Sequence, residues 1–241
     1  MELRDAVDVF WDAVLEERVK VEDVSSWMND ADIKCDPHDL RIELGKKFPI
    51  NTYKGNIRNS TDVKNVWKNK YTIIDGNIKL EDGKCQNFFY LEGIKVIKGS
   101  LNIGNMSFIT DTRGLENLTL VKKNFVLRNN HYLGSLNNFN SLKYVRGNFT
   151  IINNSKLNFI KGFNKLLNIY CNINIYNNKI LSTIYGFNEL ESFLAIKIRG
   201  RFNFYTSSKK INDYFGNKQL GLKIISSYGD IGEKIQCTSI R

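Results

Sequence analysis

The sequence predicts a mainly β protein, a parallel β-solenoid of 24-residue coils with a small α-helical N-terminal cap. Three observations carry the prediction. The phrase Asn-apolar-x-apolar-x-Asn-Asn recurs as KKNFVLRNNHYL, RGNFTIINNSKL and YCNINIYNNKIL, each 24 residues after the last. Between phrases, apolar residues fall at every third position. Charge then marks a boundary near residue 50. Residues 1–50 hold 7 Lys and Arg against 13 Asp and Glu, whereas residues 51–241 hold 28 against 12. The expected organisation is an acidic helical module over 1–50, a basic solenoid over 51–201 and a C-terminal cap or tail over 202–241.

The first element is a helix over 4–19, which puts Val7, Phe10, Trp11, Val14 and Leu15 on one face. A second begins at Asp36-Pro37, with Asp as N-cap and Pro in the first turn, and stops before Gly45. Trp27 and Met28 lie between them. A rod of stacked repeats exposes its end coils, so these helices are expected to cap it. The alternative is that the acidic segment binds a partner.

Written in rows of 24 from residue 98 to 193, the chain forms seven apolar columns. Leu101, Phe125, Phe149 and Ile173 make the first; Ile103, Leu127, Ile151 and Ile175 make the second. The pair predicts a short strand with alternate side chains inward. Asn105, Asn129, Asn153 and Asn177 follow, where the side-chain amide can bond backbone groups of a turn. The triplet rhythm then runs through Ile109, Leu133, Leu157 and Leu181, and through Thr112, Leu136, Ile160 and Ile184. Leu115, Phe139, Phe163 and Phe187 come next, then Leu118, Leu142, Leu166 and Leu190. Val121, Val145, Ile169 and Phe193 close the row, and Thr112 alone is not apolar. This spacing fits turns, 3₁₀ pieces or a second strand run better than a long α-helix. Upstream the strand slips by one residue, to Ile78 and Leu80; downstream it slips likewise, to Ile196 and Ile198. A weaker coil precedes, through Val63, Val66, Tyr71 and Ile74. At the far end Ser207 is expected to cap a helix over 208–215, and GLKIISSYGDIGEKI reads as a last strand or tail.

The phrases SLKYVRGNFTIINNSKLNFIKGF and ENLTLVKKNFVLRNNHYLGSLNNF carry a resemblance. Their Leu-x-x-Val-x-Gly-x-apolar-x-apolar-x-x-Asn order resembles the leucine-rich-repeat superfamily, specifically the longer-coil L domains of the insulin-receptor and epidermal-growth-factor-receptor families. It covers about residues 72–200. The resemblance implies a right-handed LRR/L-domain-like β-solenoid that works by binding rather than catalysis. The chain departs from those receptors in lacking a secretion signal, a cysteine-rich module and paired cysteines, so extracellular hormone binding is not carried over.

The residues themselves offer little chemistry. His38 and His131 are the only histidines, and neither is tied by the sequence to a nucleophile. Cys35, Cys85, Cys171 and Cys237 lie far apart, which suits free thiols in a reducing compartment rather than zinc. Cys171 falls in an inward phase and is expected to be buried. No enzyme activity, cofactor or metal is expected. The start, MELRDAVDVFWDAVLEERV, is acidic and amphipathic, unlike a secretory signal, and implies a cytoplasmic protein.

Binding surfaces remain. Alternation along the strands exposes Arg128, Ile152, Tyr176 and, after the slip, Arg199 in one column. Val126, Thr150, Asn174 and Lys197 form its neighbour, and Asn124, Asn148 and Asn172 an earlier one. Arg128, Ile152, Asn174, Tyr176, Lys197 and Arg199 are the expected partner-binding residues, with Tyr176 and Arg199 in ring-to-guanidinium contact. Lys98, Lys122 and Arg146 stack like charges at the strand entrance, which fits a solvated edge. The expectation is an intracellular protein-binding module for an acidic macromolecule. Its Asn-, Lys- and Ile-rich composition suits a phage- or virus-encoded adaptor or inhibitor. The alternative is nucleic-acid binding through the basic body, with strongly salt-dependent affinity.

Overall fold

The computed structural model describes residues 51–81, 88–198 and 203–214. The chain divides into two units between Asn51 and Thr52, and the elements described below belong to the second. The helices expected over 4–19 and from Asp36, with Trp27 and Met28, lie outside the described residues, as does the expected tail after residue 220.

The apolar-x-apolar pairs become strands because each buries every second side chain and leaves its backbone free to pair sideways. Strands are numbered in chain order. One sheet stacks β1 (Thr52–Lys54), β2 (Ile73–Asp75), β4 (Val96–Ile97), β6 (Leu120–Val121), β9 (Tyr144–Val145) and β12 (Asn168–Ile169). A second stacks β3 (Ile78–Leu80), β5 (Leu101–Gly104), β7 (Phe125–Arg128), β10 (Phe149–Ile152), β13 (Asn172–Tyr176) and β15 (Ala195–Ile198). The third holds β8 (Ser135–Leu136), β11 (Phe159–Gly162), β14 (Thr183–Gly186) and β16 (Asn203–Tyr205). All pairings are parallel. At about 4.8 Å per strand, a six-strand stack runs roughly 24 Å.

The register is the one the columns predict. Phe149 pairs with Phe125 on one side and Ile173 on the other. The slips occur where expected: Ile78 pairs with Leu101, and Ile173 with Ile196. Every residue of the seven columns is buried, Thr112 included. Its hydroxyl lies 3.2 Å from Asn138 Oδ1, so the polar position is satisfied. The triplet half of the row supplies the third sheet. In the first described coil it instead contains an α-helix, α1 (Ser60–Lys68), with Val63 and Val66 buried. Asn59 caps it, its side chain accepting from Asp62 N–H at 2.9 Å, while Asp62 Oδ2 accepts from Arg58 N–H at 2.7 Å. At the far end α2 (Lys209–Tyr214) is capped by Ser208 rather than Ser207. The Ser208 hydroxyl donates to Leu190 O at 2.6 Å and accepts from Ile211 N–H at 3.3 Å.

Asparagine holds the coils together, though at a different position from the one expected. Asn105, Asn129, Asn153 and Asn177 adopt left-handed backbone, with φ of 53°, 56°, 57° and 57°. That conformation costs most L-residues about 1–2 kcal/mol, and Asn bears it best after Gly. Their contribution is the corner's geometry. The backbone bonding belongs to the following residue, and Asn130, Asn154 and Asn178 are buried. Each amide donates to a strand carbonyl of the previous coil: Asn130 to Ile103 O at 3.1 Å, Asn154 to Leu127 O at 3.2 Å and Asn178 to Ile151 O at 3.0 Å. Each side-chain oxygen accepts a backbone N–H from that coil, from Met106 at 3.2 Å, Asn130 at 3.0 Å and Asn154 at 2.9 Å.

A second ladder runs along the strand entrance. Asn124, Asn148 and Asn172 belong to it, so that column is structural. Asn56 Oδ1 accepts from Asn77 N–H, Asn77 Oδ1 from Ser100 N–H, and Ser100 Oγ from Asn124 N–H. Asn124 and Asn148 continue it, accepting from Asn148 and Asn172 N–H at 2.9 and 3.2 Å.

Between the ladders the core is aromatic. Phe125 stacks on Phe149 with centroids 4.8 Å apart, and Phe139 on Phe163 at 5.1 Å. The two stacks meet edge to face, with Phe149 4.9 Å from Phe163. Phe163 and Phe187 have φ of 57° and 56°, a strained choice for a bulky residue. Their burial in the stack offsets that cost. Next to Phe187, Gly186 has φ 143°, and a Cβ there would sit 1.9 Å from Gly162 O. Only glycine fits.

Thermal melts of three variants test this arrangement. Asn154→Ala leaves a buried carbonyl and a buried N–H without partners and should cost about 1–3 kcal/mol. Asn153→Gly keeps the left-handed turn and should be neutral. Phe163→Ala should cost about 3–5 kcal/mol. Equal losses at Asn153 and Asn154 would contradict the assignment.

Candidate binding face

The outer face of the second sheet collects the expected residues because register locks their columns together. Thr150 sits between Val126 and Asn174, and Ile152 between Arg128 and Tyr176. Asn174 pairs with Lys197 on β15. Arg199 lies outside the described residues. Ile152, Asn174 and Tyr176 are half-buried, and Lys197 is exposed. Asn174 Nδ2 lies 3.5 Å from Thr150 Oγ1, a marginal bond along the row. The ring of Tyr176 has a cation from another residue: Lys197 Nζ stands 5.5 Å from its centroid.

Arg128 is committed within the chain. Its guanidinium crosses Gly104 on the intervening strand and reaches Glu81, with Nη2 2.6 Å from Oε1. Gly104 makes the crossing possible, since a Cβ there would lie 3.0 Å from Arg128 Cγ. Lys79 Nζ holds the other oxygen of Glu81 at 3.2 Å. Burial pushes the Glu81 carboxyl up, but the hydrogen bonds from Lys79 and Arg128 outweigh it and hold the group below its usual range. Glu81 and Lys79 were not among the expected residues. Extending the one-residue slip past Leu80 aligns Glu81 with Gly104 and Arg128, and that is the signal.

Other expectations are corrected or placed. Cys171 is half-exposed rather than buried, because the strand begins only at Asn172. His131 is exposed, with Nδ1 3.1 Å from Ser155 Oγ. The Lys98, Lys122 and Arg146 column is relieved at both ends. Lys98 pairs with Asp75 at 3.4 Å, and the Arg146 guanidinium lies 5.8 Å from the Tyr170 ring centroid. Among the described residues no three His, Cys, Asp or Glu side chains could hold a metal, and no helix is long and apolar enough to cross a membrane. An open cleft of about 500 Å³ beside α2 is lined by residues including Glu189, Glu191, Ser208 and Lys210. The Ser208 hydroxyl already donates to Leu190 O and accepts from Ile211 N–H, so it is no free nucleophile.

No family model, curated protein or solved structure matches the chain significantly.

The Glu81 clamp predicts a pH signature. A carboxyl whose folded pKa is depressed stabilises the fold above its unfolded value of about 4.3, and that contribution is lost as pH falls through the folded pKa. Glu81→Gln should therefore melt lower than wild type at pH 7. The gap should close progressively below about pH 4. A gap independent of pH would assign the loss to packing.

Proposed function

We propose that this chain is a non-enzymatic, intracellular protein-binding module that presents the outer face of its second sheet to an acidic partner. One observation carries the reading. Ile152 and Tyr176 stand side by side on adjacent paired strands, half-buried, in a face fixed from below by a close-packed core. An aromatic and an aliphatic residue on a rigid support are the kind of anchor that dominates interface energy, and rigidity lowers the entropic cost of binding. Among the described residues the same face carries three cations, Lys79, Arg128 and Lys197, and one carboxylate, that of Glu81. The excess positive charge favours an acidic partner and speeds encounter with it.

The parallel coils are consistent with the leucine-rich-repeat and receptor L-domain resemblance, and within this proposal the solenoid is right-handed and functions as those domains do, by surface recognition. An intracellular setting suits the scattered cysteines. Small basic adaptors or inhibitors of phage or viral origin are the kind of protein that such a compact binding rod would serve.

The test begins with tagged protein and lysate of the native host, with and without nuclease. A protein recovered under both conditions is then titrated against wild type and variants. Tyr176→Ala with Lys197→Ala should weaken its binding by at least about 2 kcal/mol, with the melting temperature little changed. Lys98→Ala with Lys122→Ala should have a much smaller effect. Equal effects of the two pairs, or none, would remove the sheet face from consideration.

A further inference from the structure

A second surface lies at the corner between the second and third sheets. Phe108, Tyr132, Lys156 and Ile180 occupy the same place in four consecutive coils, two residues beyond Met106, Asn130, Asn154 and Asn178. Phe108 is 69% exposed, Tyr132 51% and Ile180 53%. Phe159, on the neighbouring outward column of β11, is 45% exposed. Isolated surface hydrophobics need no explanation. A register-locked row of them does, because these side chains lie outside the core and every other residue of the corner is polar except the buried Met106.

The row is also cationic. Lys156 stands within it, Nζ 4.3 Å from the Tyr132 ring centroid, and exposed Lys179 precedes Ile180. Lys161 points outward on β11. None of these three has a carboxylate partner among the described residues. Asp111, the carboxylate closest in sequence to Phe108, is bound by Arg113 at 3.0 Å.

We propose that this corner binds single-stranded nucleic acid, with bases stacked on Phe108, Tyr132 and Phe159 and phosphates on Lys156, Lys179 and Lys161. The chemistry separates this ligand from the alternatives. A duplex has no free base faces for exposed rings to meet. A single strand offers base faces and phosphates together, and aromatic platforms in a basic track suit it. Three coil steps span about 14 Å, enough for a short stretch of single strand. The site is separate from the sheet face and does not depend on the protein-partner reading.

The experiment is fluorescence anisotropy of a labelled oligothymidylate with the full chain across a salt series, melting temperatures being checked in parallel. Wild type should bind at low salt and prefer the single strand to a duplex of equal length. Phe108→Ala with Tyr132→Ala should weaken binding at least about tenfold while leaving the salt slope unchanged. Lys156→Ala with Lys179→Ala should weaken binding and flatten the log–log salt slope by about 1.4. Tyr176→Ala with Lys197→Ala should bind the oligonucleotide as wild type does. The proposal is overturned by absence of binding at low salt, by equal affinity for duplex, or by affinity that survives loss of both rings. Loss of binding in the sheet-face variant would overturn the placement.

Discussion

The fold depends on how the chain satisfies its backbone at the corners of each coil. Within a parallel sheet every N–H and C=O finds a partner one strand away. Where the chain leaves one sheet for the next, those groups point into a packed stack that has no water to offer, and an unsatisfied one costs as much as a lost hydrogen bond. This protein supplies the missing partners from side chains. Asn130, Asn154 and Asn178 each take one N–H and cover one carbonyl of the coil before. The row from Asn56 to Asn172 does the same for N–H groups at the strand entrance. An amide carries donor and acceptor on one short arm, so a column of asparagines bonds its neighbours at the same 24-residue interval as the strands.

These ladders fix the register, and the register makes the core possible. Phenylalanine can stack on phenylalanine only if successive coils neither slip nor rotate. The left-handed conformations at Asn153 and Phe163, each unfavourable alone, are held by neighbours that demand them. Order at the surface follows from the same constraint. Arg128 meets Glu81 across two strands because both lie in one column with a glycine between. Ile152 meets Tyr176, and Phe108 follows the place of Tyr132, for the same reason.

Burial was legible in the sequence because apolar periodicity reports it directly, and the columns from Leu101 to Phe193 are all buried. The division of labour between adjacent asparagines was not. The first column has Asn in all four rows, whereas the second has Met106 in one, so the sequence pattern favours the first. The structure explains the gap: Met106 ends the ladder and contributes only its N–H. Helix α1 was missed although Asn59 and Asp62 have capping spacing, because Val63 and Val66 also fit the triplet rhythm. On the candidate face, Ile152 and Tyr176 followed from alternation alone. The Glu81 clamp required carrying a one-residue slip past the end of a strand. The exposed row at Phe108, Tyr132 and Ile180 escaped notice since a 24-residue period does not say whether a column points in or out.

If the ladders make coils interchangeable, a coil can be removed whole. Deleting residues 146–169 joins Val145 to Tyr170 and brings Asn124 opposite Asn172 and Asn130 opposite Asn178, so both ladders re-form. The measurement is cooperative thermal unfolding of this deletion beside one that removes only the first twelve residues of the same row. The account predicts that the full deletion folds as a shorter rod with a single sharp transition, and that the half deletion unfolds or aggregates. Equal behaviour of the two would contradict the claim that in-register asparagine ladders hold the coils together.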